Sequence, residues 1–285
     1  MSTYTPWTAS DARASIAVPG ESDDKYTRGV LGVITGSTQY PGAAVLGVEA
    51  ALHTGVGMVR YLGPERAAAL VLSRRPEAVT SQGRVQAWLI GSGMAAVSAD
   101  PVGPGSLGSQ NESSAAIADA IVQTVPVVLD GGAVDLYAST HGPTVITPHY
   151  RELAAVLGIT AEEIANDPAS AAANAADRLG VTVLLKGHTT YVAAPDGTRL
   201  SSTHAPTWLA TAGAGDALGG ILGALVATHA TQLSTDSGLL AKLAASASVI
   251  HGLAAERASS GGPFTILDLT AALPATISAL LVGIR

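Results

Sequence analysis

Short runs of β-branched and aliphatic residues alternate with longer stretches in which Ala and Leu recur at helical spacing, and this alternation sets the expected element order. Residues 30–35, 58–62, 88–91, 126–130, 144–147 and 181–186 read as strands, most of them apolar enough to be buried on both faces. Residues 43–54, 64–73, 113–124, 150–157, 168–179, 213–229, 236–259 and 267–282 read as helices. Residues 191–194 and 199–203 flank Pro195-Asp196-Gly197-Thr198, a hairpin signal. Strands alternating with helices predict an α/β fold, a parallel sheet covered by helices on both faces. Residues 1–28 are polar and irregular and are expected to be a leading arm. With no internal repeat and no long linker, residues 29–285 are expected to form one domain. Residues 103–111, rich in Gly and Ser, read as the loosest segment.

Composition narrows what such a domain does. Of the 285 residues 47% are hydrophobic and 13% charged, so the material for a sizeable core is present. Net charge is −7 and no basic run occurs, which disfavours nucleic acid as a partner. The absence of cysteine excludes disulfides, zinc–thiolate sites and cysteine nucleophiles, and fits a reducing cytoplasm. The first ten residues carry neither a basic nor an apolar signal region, so a secretory leader is not expected. The apolar run at residues 217–227 is shorter than the ~20 residues of a membrane span. The Ala-rich stretch near residues 239–255 is interrupted by Lys242 and His251, so no membrane role is expected.

Four strand ends run into turns rich in Gly, Pro, Thr or His, the position where open parallel sheets bind ligands. The sharpest is Thr211-Ala-Gly-Ala-Gly-Asp216, followed by Leu218, Ile221, Leu222 and Leu225 at helical spacing. Gly213, Ala214 and Gly215 would present unpaired helix N–H groups to an anion. Asp216, at the same positive helix end, is expected to stay ionised and to serve as a general base in phosphoryl transfer. The plainer alternative is a helix start with packing glycines and a favourable first-turn charge.

Lys186-Gly187-His188-Thr189-Thr190 ends a buried strand and suits an adenine-nucleotide or phosphate contact; alternatively Lys186 is a surface lysine in a hairpin turn. In Thr147-Pro148-His149-Tyr150-Arg151-Glu152, His149 and Glu152 share the first-turn face of a helix. There Glu152 would hold the water shell of a Mg²⁺ and His149 would meet substrate, or the pair is a helix cap. The turns Gly36–Ala44 and Gly91-Ser92-Gly93 leave room for a flat ligand. No Gly-x-x-x-x-Gly-Lys-Ser/Thr or Gly-x-Gly-x-x-Gly pattern occurs where a P-loop or dinucleotide fingerprint would need it, nor a Gly-x-Ser-x-Gly elbow or His-Glu-x-x-His. His53, His141, His188, His204, His229 and His251 lack metal-ligand spacing and read as surface or core residues.

The Ala-Gly-Ala-Gly-Asp216 motif resembles the Gly-x-Gly-Asp signature of ribokinase-like small-molecule kinases. Together with Pro41-Gly-Ala-Ala44, Thr147-Pro-His149, Leu185-Lys-Gly, Ile250-His-Gly and Asp268-Leu-Thr-Ala-Ala-Leu-Pro, it resembles the ADP-dependent NAD(P)H-hydrate dehydratases from about Arg28 to the C-terminus. The resemblance implies a ribokinase-like three-layer α/β/α sandwich and a cytoplasmic metabolite-repair lyase. In it ADP, with Mg²⁺, phosphorylates the ring hydroxyl of (6S)-NADHX or NADPHX, and phosphate loss returns NAD(P)H beside AMP. It further implies that Ala44, Gly93 and His149 line the hydrate site, that Lys186–Thr190 and Gly213–Gly215 hold the nucleotide, that Asp216 touches the hydrate and is the base, and that the chain assembles as a homotetramer. The chain departs from the family pattern at Gly91-Ser-Gly-Met-Ala, at Asp130-Gly-Gly-Ala-Val, which lacks a second acid, and at Tyr150-Arg151, where Pro-Gly is usual. Two other readings stay open on the motifs: a vitamin kinase of the same fold, of hydroxyethylthiazole or hydroxymethylpyrimidine type, and a non-catalytic adenine-nucleotide sensor.

Overall fold

The computed structural model describes residues 3–95 and 109–283; residues 103–108 of the segment expected to be loosest lie outside them. Among the described residues, β1 (Thr5–Pro6), β2 (Val30–Ile34), β3 (Met58–Tyr61), β4 (Ala87–Ile90), β5 (Val127–Leu129), β6 (Thr144–Ile146), β7 (Thr182–Leu185), β8 (Thr190–Ala193) and β9 (Arg199–Ser202) form one sheet. Their order is β1-β9-β8-β7-β6-β5-β4-β2-β3. The β7–β8 and β8–β9 pairs are antiparallel and every other pair is parallel. The antiparallel pair β8–β9 is the hairpin that Pro195-Asp-Gly-Thr predicts.

Central strands are apolar on both sides because both sides are covered. In β2, Leu31 and Val33 face one core while Val30 and Ile34 face the other. Gly32 lies opposite Trp88 of β4 and has to be glycine, since a Cβ there would enter the indole ring. One face carries α1 (Ala9–Arg13), α2 (Gly42–Thr54), α3 (Glu65–Arg74), α8 (Ala214–Thr228), α10 (Leu239–Ser259) and α11 (Ile266–Val282). The other carries α4 (Ser109–Ile121), α5 (Tyr150–Leu157), α6 (Ala161–Asn166) and α7 (Pro168–Leu179), and α9 (Ala230–Leu233) follows α8 directly. The three-layer α/β/α sandwich is therefore as the sequence predicts. α10 is long and apolar enough to cross a membrane, but 78% of its most apolar stretch is buried among α1, α8, α11 and the sheet, so its composition is that of a core helix.

α2 and α8 touch backbone to backbone. A Cβ on Gly220 would overlap the Gly47 carbonyl oxygen and come within 2.9 Å of Ala50 Cβ, so glycine sets how closely the two helices approach.

The leading segment differs from the arm expected. Thr5 of β1 pairs with Leu200, Trp7 Nε1 donates to Ser246 Oγ at 2.8 Å, and Ser246 Oγ donates to Ser15 Oγ at 2.8 Å. Ala12 is fully buried. Only residues 17–27 keep the exposed, turn-rich character. Four further elements among the described residues are not anticipated: 3₁₀ helices at Gly131–Ser139 and Thr207–Leu209, the short α9, and α6, whose capping box Thr160–Glu163 is a legible start signal.

Candidate active site

Four adjacent strands, β4, β5, β6 and β7, end on one edge of the sheet, and each end delivers one polar side chain. Ser92 follows β4, Asp130 follows β5, Thr147 follows β6 and Lys186 follows β7. The three others converge on Asp130, which is only 4% exposed. Ser92 Oγ donates to Oδ2 at 2.7 Å; Thr147 Oγ1 and Lys186 Nζ each donate to Oδ1 at 2.7 Å. Burial alone would raise the Asp130 pKa, but the Lys186 ammonium and these hydrogen bonds outweigh it and hold the carboxyl below its usual range. Burial likewise works against the Lys186 charge, and Asp130, Glu152 and Asp216 together more than restore it. Asp130 is the residue that sequence reasoning left without a role, because its partners are 38, 17 and 56 positions away.

Gly213 caps α8 in a left-handed conformation, φ +91°, packed against Leu46 of α2. From Ala214 onward the helix runs through small residues, with Asp216 in its first turn. A Cβ on Gly215 would lie 3.5 Å from Lys186 Nζ, and one on Gly219 3.5 Å from Ser92 Oγ, so this turn sits directly over the strand ends. The dipole argument predicts an acid that stays ionised, and burial sets how basic that carboxylate is. Burial, with the charge of Asp130 added, pushes Asp216 from 3.8 to about 6 against the pull of Lys186. Above that pH it is a carboxylate with appreciable basicity, as proton abstraction near neutrality requires.

His149 caps α5. Its Nδ1 accepts from the Arg151 and Glu152 N–H groups at 3.1 Å each, while the His149 N–H donates to Glu152 Oε2 at 2.7 Å. The capping alternative is thus realised, and it fixes the ring: Nδ1 is the acceptor, which leaves the proton on Nε2. His149 also lies beside Lys186 in a parallel bridge, and Glu152 Oε2 is 3.8 Å from Lys186 Nζ. Gly187 and His188 are exposed in the turn after β7, Thr189 is half-buried, and Thr190 is buried within β8. A Cβ on Gly187 would meet the Tyr150 hydroxyl at 2.7 Å. Ala44, fully buried, and Gly93, at φ +68°, belong to a second cluster at the start of α2, where a Cβ on Gly93 would overlap Ala43 Cβ. The Gly36 N–H donates to the Ser92 carbonyl at 2.6 Å and ties that cluster to the strand ends.

His251 of α10 is a further group at the α8 start. Burial pushes it down to about 4, so it is neutral, and the Ala214 backbone and Lys186 both act on it. Its Nε2 has no hydrogen-bond partner among the described residues.

Among the described residues no three metal-ligating side chains converge. Glu152 offers one partly exposed carboxylate whose Oε2 already accepts from His149. That donor set suits a Mg²⁺ whose other ligands are phosphate oxygens and water.

A nine-stranded sheet of this order with a glycine-rich helix start over its strand ends defines a class. A ribokinase-like superfamily protein from Enterococcus faecalis V583 superposes with a TM-score of 0.78 at 21% identity, covering 96% of this chain and 95% of that one, and the fold is ribokinase-like. The family model described as NAD(P)H-hydrate dehydratase matches residues 31–273, and the chain belongs to that family. It is similar to the ADP/ATP-dependent NAD(P)H-hydrate dehydratase from Bacillus subtilis, co-crystallised with ATP/Mg²⁺, with a TM-score of 0.83 and 25% identity over 97% of this chain and 99% of that one. It is 41% identical over 232 residues to the bifunctional NAD(P)H-hydrate repair enzyme Nnr of Mycobacterium tuberculosis (strain ATCC 25618 / H37Rv), covering 77% of this chain and 45% of that protein. The chain thus spans about half the length of that relative.

Proposed function

We propose that the chain dehydrates (6S)-NAD(P)HX to NAD(P)H at the expense of ADP, releasing AMP and phosphate. The observation that carries this reading is Asp216, an acid with its pKa raised to about 6 in the first turn of α8, over the strand ends where Lys186 lies. As a base, Asp216 takes the proton of the ring hydroxyl while that oxygen attacks the β-phosphorus of ADP. The bond from phosphorus to the bridging oxygen breaks and AMP leaves. The N–H groups of Gly213, Ala214 and Gly215 and the Lys186 ammonium meet the charge on the phosphoryl oxygens. The carbon–oxygen bond of the new ester then breaks toward phosphate, a proton leaves the adjacent ring carbon, and the ring double bond returns.

Lys186 to Thr190 bound the nucleotide side of the site, and Ala44, Gly93 and His149 the hydrate side, where His149 Nε2 lies 3.6 Å from Glu152 Oε1. A Mg²⁺ bound with the nucleotide would supply charge neutralisation, with Glu152 reaching it through water. A homotetramer and a cytoplasmic location belong to the same proposal; sedimentation equilibrium reads the first.

The test mixes the protein with chemically hydrated NADH, Mg²⁺ and ADP or ATP and follows reduced-nicotinamide absorbance. Recovery with nucleotide, abolished in Asp216→Asn, is expected. No recovery, with phosphorylation of a thiazole or pyrimidine alcohol instead, gives the site to a vitamin kinase; nucleotide binding without turnover makes it a sensor.

A further inference from the structure

The Asp130 cluster is more elaborate than an ion pair needs. Both carboxylate oxygens are occupied, by a hydroxyl from the strand end on either side and by the Lys186 ammonium, and the group is almost completely buried. Ser92 and Thr147 fix the carboxylate, so its charge has one position. Lys186 is different: its ammonium sits on a flexible four-carbon stem and has other acids to choose from. Glu152 Oε2 is 3.8 Å away, and the first turn of α8 passes close enough that a Gly215 Cβ would lie 3.5 Å from Nζ.

We infer that Asp130 is a positioning residue: clamped by Ser92 and Thr147, it anchors Lys186 at the end of β7 and keeps the ammonium from pairing with Asp216. Without that anchor Lys186 would turn to Asp216, and a base tied in a direct ion pair is a weaker base. Asp130 thus preserves the basicity of Asp216 twice, by retaining the cation and through its own negative charge. The groups acting on Asp216 are these two, Asp130 from β5 and Lys186 from β7. Glu152 of α5 acts on Lys186, His251 of α10 is neutral, and Glu49 of α2 is neutralised by Arg74 and Arg75.

The catalytic meaning of this arrangement rests on the dehydratase reading, so the experiment has one arm that does not. The Asp216 carboxyl is titrated by ¹³C NMR in the full chain and in Asp130→Asn, with Asp216→Asn for assignment. In parallel, kcat/KM for hydrated NADH is measured against pH in both proteins. The expected result is a midpoint about one pH unit lower in Asp130→Asn, with the acidic limb of the rate profile moving by the same amount. An unmoved or raised midpoint overturns the inference, whatever the rates do. Loss of the Asp130 charge alone also lowers the midpoint, so the anchoring is read in variants that keep that charge. A lowered midpoint in a protein without dehydratase activity sinks the functional reading and keeps the positioning role. Ser92→Ala and Thr147→Val keep the Asp130 charge and each loosen the clamp by one hydrogen bond, whether or not Asp130→Asn folds. Both must then move the midpoint down by a smaller amount; a fixed midpoint in both overturns the role.

Discussion

Replacing Asp216 by Asn should make the protein more stable while removing its proposed activity. The carboxyl titrates at about 6 in the fold against 3.8 for the unperturbed group. Between those values the folded state holds a proton that the unfolded state has released. Raising pH through that window therefore lowers stability, and the cost is complete once the folded group has ionised above pH 6. At ~1.4 kcal/mol per pH unit, a rise of this size corresponds to at most ~3 kcal/mol. Asp216 is only partly enclosed, and solvent screening brings the expected penalty to roughly 1–2 kcal/mol. Asparagine keeps the shape without the charge. Urea unfolding of the two proteins at pH 5 and pH 7.5 checks this, with the variant's advantage growing toward the higher pH. A variant no more stable than the parent at pH 7.5, or an advantage independent of pH, refutes the reasoning. The same variant should lose ~10²-fold or more in turnover with nucleotide binding retained, the scale of a lost general base.

For the parent protein, kcat/KM in the proposed reaction should fall about tenfold per pH unit below the Asp216 midpoint near 6, as a pH–rate profile will read. Lys186→Met should raise that midpoint, since the cation favours the carboxylate, and should weaken ADP binding measured by calorimetry. Gly220→Ala should destabilise by ~1–3 kcal/mol in chemical denaturation, because its methyl overlaps the Gly47 carbonyl and meets Ala50 at 2.9 Å across the α2–α8 contact. Glu49→Ala should cost about 3 kcal/mol, since its loss leaves a cavity, strips Arg74 of its carboxylate and leaves Arg75 only Glu77 at 3.6 Å and the His53 ring. A loss under half that size would show that solvent already satisfies the arginines.

The sheet and most helices were legible because their signal is local. α5 and α7 begin and end where the sequence pattern puts them, and β2, β4 and β7 announce themselves as apolar runs ending at Gly or Lys. β1 and α1 were not, because what orders them is distant: Trp7 finds Ser246 across most of the chain, and two residues of strand carry no period. The 3₁₀ helix at Gly131–Ser139 has no 3.6-residue repeat to read. In the candidate site, the glycines and the acid of α8 were visible as a motif. The Asp130 clamp was not, since Ser92, Asp130, Thr147 and Lys186 become neighbours only once strands β4 to β7 lie side by side. The raised pKa of Asp216 escaped for the same reason: the dipole of its own helix is written in the sequence, its burial and the nearby Asp130 charge are not.

The glycine contact between α2 and α8 has a consequence for how such a protein diversifies. α2 starts at the Ala44 cluster and α8 starts at Asp216, so the two halves of the site ride on helices locked together by their main chains. Loops at the strand ends, such as Gly91-Ser-Gly-Met-Ala and Tyr150-Arg151, can then change without altering the distance across which the proposed ligands would meet. Selection can alter what is recognised while the spacing that governs reaction is inherited intact.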